Sequence, residues 1–305
     1  MSDETTVLAT SIAQIALMTL LPIGVAFVVA RRRPPRWMLA IGAATFLGSQ
    51  LVHLPLNQGL TVLGASAGLN ELLQPASALI VNALVLGFTA AFCEEGARFL
   101  VFRWVFARLR AQGSDAEPTD RWRDAALLHG VGHGGIEAIA LAVLVALTLI
   151  GMLSMRGVDV AQLPIPPDQR ALAAQQIEAF WSMPAWMPFV AVLERALTMI
   201  LHVALSVAVA YGVVTRRFRP VWLAFLTHWA VDAFAVLGIG GVPLIVGDPD
   251  TQLGVLVVEG ALVAVAVASL VIVRRSREWP VDVSGAGQGE RADVSAAQTE
   301  RTDVA

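Results

Sequence analysis

Seven stretches of this chain are apolar over lengths near or above the ~20 residues that a helix needs to cross a bilayer. They run roughly Val7–Ala30, Trp37–Leu56, Ala76–Phe106, Ala125–Leu153, Pro188–Thr215, Trp222–Gly240 and Leu253–Val273. The expected fold is therefore an all-α, polytopic transmembrane helix bundle of about seven spans. Composition agrees: 15% of residues are charged, where a soluble domain has about a quarter, and the mean hydropathy is +0.68.

Charge sets the expected orientation. Every basic residue is an arginine, and the arginines cluster as "RRRPPR", "RLRAQGSDAEPTDRWR", "RRFR" and "RRSR" after the first, third, fifth and seventh spans. The alternate connections carry little positive charge: Arg156 and Arg170 in the fourth, and none in "GGVPLIVGDPD". Positive charge stays on the cytoplasmic side, so the N-terminus is expected outside and the C-terminus in the cytoplasm of a multi-pass protein of the cell membrane. "MSDETT" lacks the basic start of a signal peptide, so the first run reads as a retained span. Residues 1–275 are expected to form one membrane domain, with 276–305 a disordered cytoplasmic tail too poor in apolar residues to fold alone. In the fourth connection, "PPDQRALAAQQIEAFWSMP" predicts a short helix ending near tryptophans suited to the membrane interface. The second connection, "NQGLTVLGASAGLNELLQP", is weakly amphipathic and expected on the outer surface.

Against this apolar background "AAFCEEGARFLVFRWVF" stands out, because Glu94, Glu95 and Arg98 fall inside the third span. Each such charge costs roughly 2.5–3.5 kcal/mol even on the lenient insertion scale, and ionisable residues kept at that cost mark functional sites by default. Helical spacing sorts them, since residues three and four apart share a face. Arg98 is reached from Glu94 at i,i+4 and from Glu95 at i,i+3. The fourth span aligns His129, His133 and Glu137, and its glycines allow a neighbouring backbone to approach. The fifth aligns Glu194, Thr198, His202 and Ser206, with Arg195 alongside, and the sixth sets His228 four residues before Asp232. The one cysteine, Cys93, excludes an internal disulfide and a thiolate metal cage and reads as a small apolar filler.

Carboxylates and histidines facing one hydrated chamber suit the activation of water, with a glutamate as general base and a histidine stabilising the oxyanion of an amide. Known intramembrane alternatives lack their marks: the chain has no His-Glu-x-x-His, no Gly-x-Ser-Gly, and no Tyr-Asp with Gly-x-Gly-Asp. Taken in order, "EEGARF", "GVGHGGIEAI", "ERALTMILHVALS" and "HWAVDAF" resemble the YhfC family of intramembrane peptidases over about residues 76–240. That family is related to type II CAAX prenyl proteases, PrsW-type proteases and the Aph subunit of gamma-secretase.

The resemblance implies Glu94 or Glu95 as the water-activating carboxylate and His202 and His228 as its principal partners. Asp232 takes a polar position that is often Asn in CAAX-type relatives, and Arg98, His133, Glu137, Glu194 and Ser206 are supporting residues. The arginine comes one residue earlier than in the CAAX-type box, which leaves its glutamate partner open. Two mechanisms follow. The favoured one is metal-free and needs no cofactor; in the other, Glu94, His202 and His228 hold Zn²⁺ and leave a position for water. The implied partners are the lipid bilayer and a membrane-protein or lipidated-peptide substrate, and nucleic acid is not expected. A non-catalytic scaffold of the same fold, or a proton-coupled transporter, would also keep intramembrane polar residues. The transporter lacks its usual internal repeats and matched broken helices.

Overall fold

A computed structural model describes residues 3–32, 35–111, 118–162, 164–246 and 252–281. Among them are α1 (Glu4–Arg32), α2 (Trp37–Ser66), α3 (Leu69–Leu72), α4 (Pro75–Ala111), α5 (Pro118–Ser154), α6 (Pro167–Trp181), α7 (Met187–Val214), α8 (Phe218–Val246) and α9 (Gln252–Arg275). No strand occurs among the described residues. Seven of the helices are long and apolar enough to cross a membrane, so the chain is an all-α, multi-pass membrane protein. Large apolar side chains such as Leu51, Leu54, Leu100 and Leu147 point outward, which in lipid is the favourable direction.

Hydropathy and helix ends part company in two places. The second span, expected to stop at Leu56, continues as α2 to Ser66, because polar residues after Asn57 end the apolar run without breaking the helix. The first residues assigned to the tail pack on the bundle. Ser276–Glu278 form a 3₁₀ turn, and Arg123 donates to Ser276 Oγ and to the Val273 carbonyl, both at 2.8 Å. Beyond it Tyr211 donates to the Pro280 carbonyl at 3.0 Å, and the Trp279 ring packs on Trp122 and Tyr211. Residues 276–281 thus belong to the membrane domain, while 282–305 lie outside the described residues. The short helix expected in the fourth connection is present as α6.

α7 is the central helix: 61% of its apolar 18-residue stretch is buried, against a third or less in the matching stretches of the other spans. Close approach to it and around it depends on glycine. A Cβ on Gly130 of α5 would stand 2.5 Å from Val203 Cα of α7, and one on Gly134 would stand 3.0 Å from Met199 Cα. On another face of α5, a Cβ on Gly132 would fall 2.1 Å from the Leu39 carbonyl oxygen of α2, and Gly42 of α2 meets the His129 carbonyl equally closely. Removing side chains here lets three backbones meet in van der Waals contact, the device expected of packed membrane helices. It brings the polar faces of α2, α4, α5, α7 and α8 within reach of one another.

Candidate active site

The intramembrane polar residues form three tiers stacked along the bundle. Nearest the arginine-rich helix ends, His129 of α5 is buried between Ser206 Oγ of α7 (3.1 Å from Nδ1) and Thr45 Oγ1 of α2 (3.1 Å from Nε2). Ser206, expected as a supporting residue, bonds His129 in this lower tier. Its ring partner is occupied at both nitrogens, so this tier reads as packing glue between helices.

The middle tier joins five helices. Glu94 of α4 accepts from His133 of α5 at 3.0 Å on Oε2 and from Gln50 of α2 at 3.1 Å on Oε1. Its neighbour Glu95 points elsewhere on α4, pairing with the fully buried Arg98 and lying 2.8 Å from His228 Nδ1 of α8. Two adjacent glutamates are thereby given separate partners, and the partner of Arg98 is Glu95. Arg98 also donates to His202 Nδ1 at 3.2 Å. Arginine has no acceptor, so this nitrogen of His202 accepts, and in the neutral ring the proton sits on Nε2, 2.6 Å from Glu137 Oε2. The other nitrogen of His228 faces Asp232 at 3.4 Å and Glu94 at 3.8 Å. Asp232, with a side chain 35% exposed, is the most open member of this tier.

The upper tier is organised by Arg195. Its guanidinium donates to Glu137 Oε1 at 2.7 Å and to Glu194. Glu194 is thus one arginine removed from the histidines, and Thr198 bonds its own helix backbone through the Arg195 carbonyl. Glu94, Glu95, Arg98, His133, Glu137, His202, His228 and Asp232 meet around one centre.

The sequence reading passed over a polar column on α2. Gln50, which touches Glu94, takes His53 Nδ1 on its own Oε1 at 3.2 Å. Asn57 donates to His53 Nε2 at 2.8 Å and accepts from Thr89 at 2.7 Å. The donors run in one direction, from Thr89 through Asn57, His53 and Gln50 to Glu94, so the column orients Glu94 as an acceptor. The spacing of Gln50, His53 and Asn57 at i, i+3 and i+7 was the available signal.

Four of these residues could hold a cation. Glu94, His133, Glu137 and His202 each offer one ligand atom, and those atoms lie within 4.8 Å of one another. Two carboxylates and two imidazoles are a donor set zinc accepts. Among these four residues, His133 Nδ1 has no hydrogen-bond partner, and Glu137 Oε2 has only its ion pair with His202. Orphaned lone pairs of this kind are what an ion would take, so the residues fit. Loading through His202 Nε2 would displace the proton placed there, as metal binding to protonated ligands does.

The sequence profile of the YhfC intramembrane metalloprotease family matches residues 17–246, about three quarters of the chain. The chain belongs to the YhfC family. No curated protein matches it significantly, and no solved structure does either. The YhfC match begins within α1 and so takes in α2 with Gln50, His53 and Asn57, which the 76–240 segment had left out. Membership of the YhfC family points to intramembrane protease activity and, by the family's description, to a metal.

Proposed function

We propose that this chain is a metal-dependent intramembrane peptidase in which Glu94, His133, Glu137 and His202 hold a divalent cation, zinc by ligand type. The observation that carries this is the meeting of four donor atoms, from three helices, within 4.8 Å of one another in the buried middle tier. This departs from the metal-free preference of the sequence reading, because His133 and Glu137 join His202 and Glu94 where His228 had been expected. A bound zinc supplies Lewis acidity, polarising the scissile carbonyl and making water a competent nucleophile at neutral pH.

The chain's own residues do the rest. Water adds to the amide carbon, its proton passes to a carboxylate, and the C–N bond breaks as the departing nitrogen gains a proton. His228 is placed for that last transfer: Nδ1 is held by Glu95, while Nε2 faces Asp232 and Glu94. Arg98 holds Glu95 and the Nδ1 edge of His202 at once, fixing the two partners relative to each other. The substrate is a membrane-embedded or lipid-associated peptide, since the reaction centre is buried among spanning helices.

One observation favours a metal-free variant, with Glu94 as base and the histidines on the oxyanion. Both nitrogens of His202 already face a partner, Arg98 on one side and Glu137 on the other. Reconstituted full-length protein, stripped with chelator and titrated with zinc while a single-span reporter is cleaved, separates the two. The metal reading expects about one ion bound per site, no cleavage when stripped, and recovery on zinc addition. Full activity of the stripped protein would leave the metal-free reaction standing.

A further inference from the structure

On the far side of Arg195 from the histidines lies a cavity of about 700 Å³, a size suited to a ligand of several residues. Its walls are apolar, with Met18 of α1, Leu141 and Leu149 of α5, Phe180 of α6 and Val258 of α9. Three charged residues line it: Glu194, Arg195 and Glu259. The guanidinium is already divided between Glu194 and Glu137. Glu259 is only 9% exposed, and its Oε2 has no hydrogen-bond partner. It stands seven residues into α9, about 10 Å from the helix start, well inside a span.

A buried carboxylate oxygen without a donor is costly, and no step of the proposed reaction uses Glu259. The carboxylates lining the cavity outnumber its guanidinium, so a guest with an apolar body and one positive group completes it. Arg195 lines the cavity and bonds Glu137 at 2.7 Å, so a guest there lies beside the reaction centre. We propose that this cavity is a substrate-binding pocket, taking an apolar peptide segment that carries one Lys or Arg paired with Glu259. The proposal rests on the peptidase reading for the word substrate, and the pocket's charge preference stands apart from it. Glu194, which lines the same cavity as Glu259, precedes His202 by eight residues on α7, about 12 Å along the axis. An extended peptide covers that distance in about four residues, which places the basic residue some four positions from the scissile bond.

Binding tests this without turnover. The Glu94→Gln chain in lipid nanodiscs is titrated with a fluorescent single-span peptide bearing Arg about four positions from the scissile bond, and with its citrulline counterpart. The Arg peptide is expected to bind at least about tenfold more tightly. Adding Glu259→Gln should reduce that preference to within about twofold. Comparing the two peptides on unaltered Glu259 keeps the test open should the Gln variant fold poorly. Equal binding of both peptides overturns the proposal, and so does a preference that survives Glu259→Gln. Displacement of the Arg peptide by phosphatidylethanolamine would also overturn it, making the cavity a lipid site. A chain that shows the charge preference while the wild type cleaves nothing would keep the pocket and remove the peptidase.

Discussion

His202 Nε2 and Glu137 Oε2 stand 2.6 Å apart as an ion pair across α7 and α5. Each is braced from behind by an arginine: Arg98 donates to the far nitrogen of His202, and Arg195 to the far oxygen of Glu137. The bracing explains why two cations are kept inside an apolar bundle. They fix the direction of a histidine and a carboxylate that neither lipid nor water could orient, which is the work of outer-shell partners at a metal site.

Glu137→Gln removes the charge that Arg195 and the proposed ion share, and cleavage of a single-span reporter should fall by about 100-fold or more. Zinc affinity should drop with it, by about 10- to 100-fold. Glu194→Gln touches the same arginine from its more exposed side and should change the rate only a few-fold. Rate and metal content measured on the pair decide the matter: equal effects would mean that Glu137 serves Arg195 alone.

How far this site could be read in advance follows from what helical spacing encodes. It fixes which residues share a face, so Glu94 and Glu95, His133 and Glu137, His202, and His228 and Asp232 were found on their separate helices. It does not fix the height of one helix against the next, and so Ser206, on the same face of α7 as His202, turned out to serve His129 one tier lower. The α2 column was hidden for another reason. Gln50, His53 and Asn57 sit where hydropathy fades, and a fading signal looked like the end of the span although the helix runs nine residues beyond Asn57, to Ser66. In the same way Trp279, a lone aromatic in polar text, gave no sign that it packs on Trp122 and Tyr211.

Gln50→Leu tests that missed column. The substitution keeps the side chain's bulk while cutting Glu94 off from His53, Asn57 and Thr89. The rate constant for reporter cleavage should fall about tenfold, with KM little changed, as expected for a residue that positions a reacting group. An unchanged rate constant would reduce the column to helix packing.

The glycine contacts make a paired stability prediction. Gly132→Ala places a methyl group 2.1 Å from the Leu39 carbonyl oxygen, and forcing α2 away from α5 should cost about 1–3 kcal/mol. Gly48, also on α2, has nothing within 4 Å of an added Cβ, so Gly48→Ala should stabilise by about 0.5–1 kcal/mol through helix propensity alone. Thermal unfolding in detergent should move in opposite directions for the two variants. Matching shifts would show that α2 and α5 are not in backbone contact.

The turn between α7 and α8 holds the one non-glycine residue found at positive φ among the described residues, Arg216 at 55°. It follows the end of α7, where the Arg217 amide donates back to the Gly212 carbonyl at 2.9 Å, the left-handed helix stop that glycine usually fills. An L-residue there bears a steric cost of about 1–2 kcal/mol that glycine escapes. Arg216→Gly should therefore raise the unfolding midpoint in detergent, while Arg217→Gly, at a position with ordinary φ, should lower it or leave it unchanged. α8 starts at Phe218 and carries His228, so reporter cleavage should be unaltered if Arg216 matters for backbone geometry alone. A fall in midpoint for Arg216→Gly would mean that its guanidinium contributes more than its backbone costs.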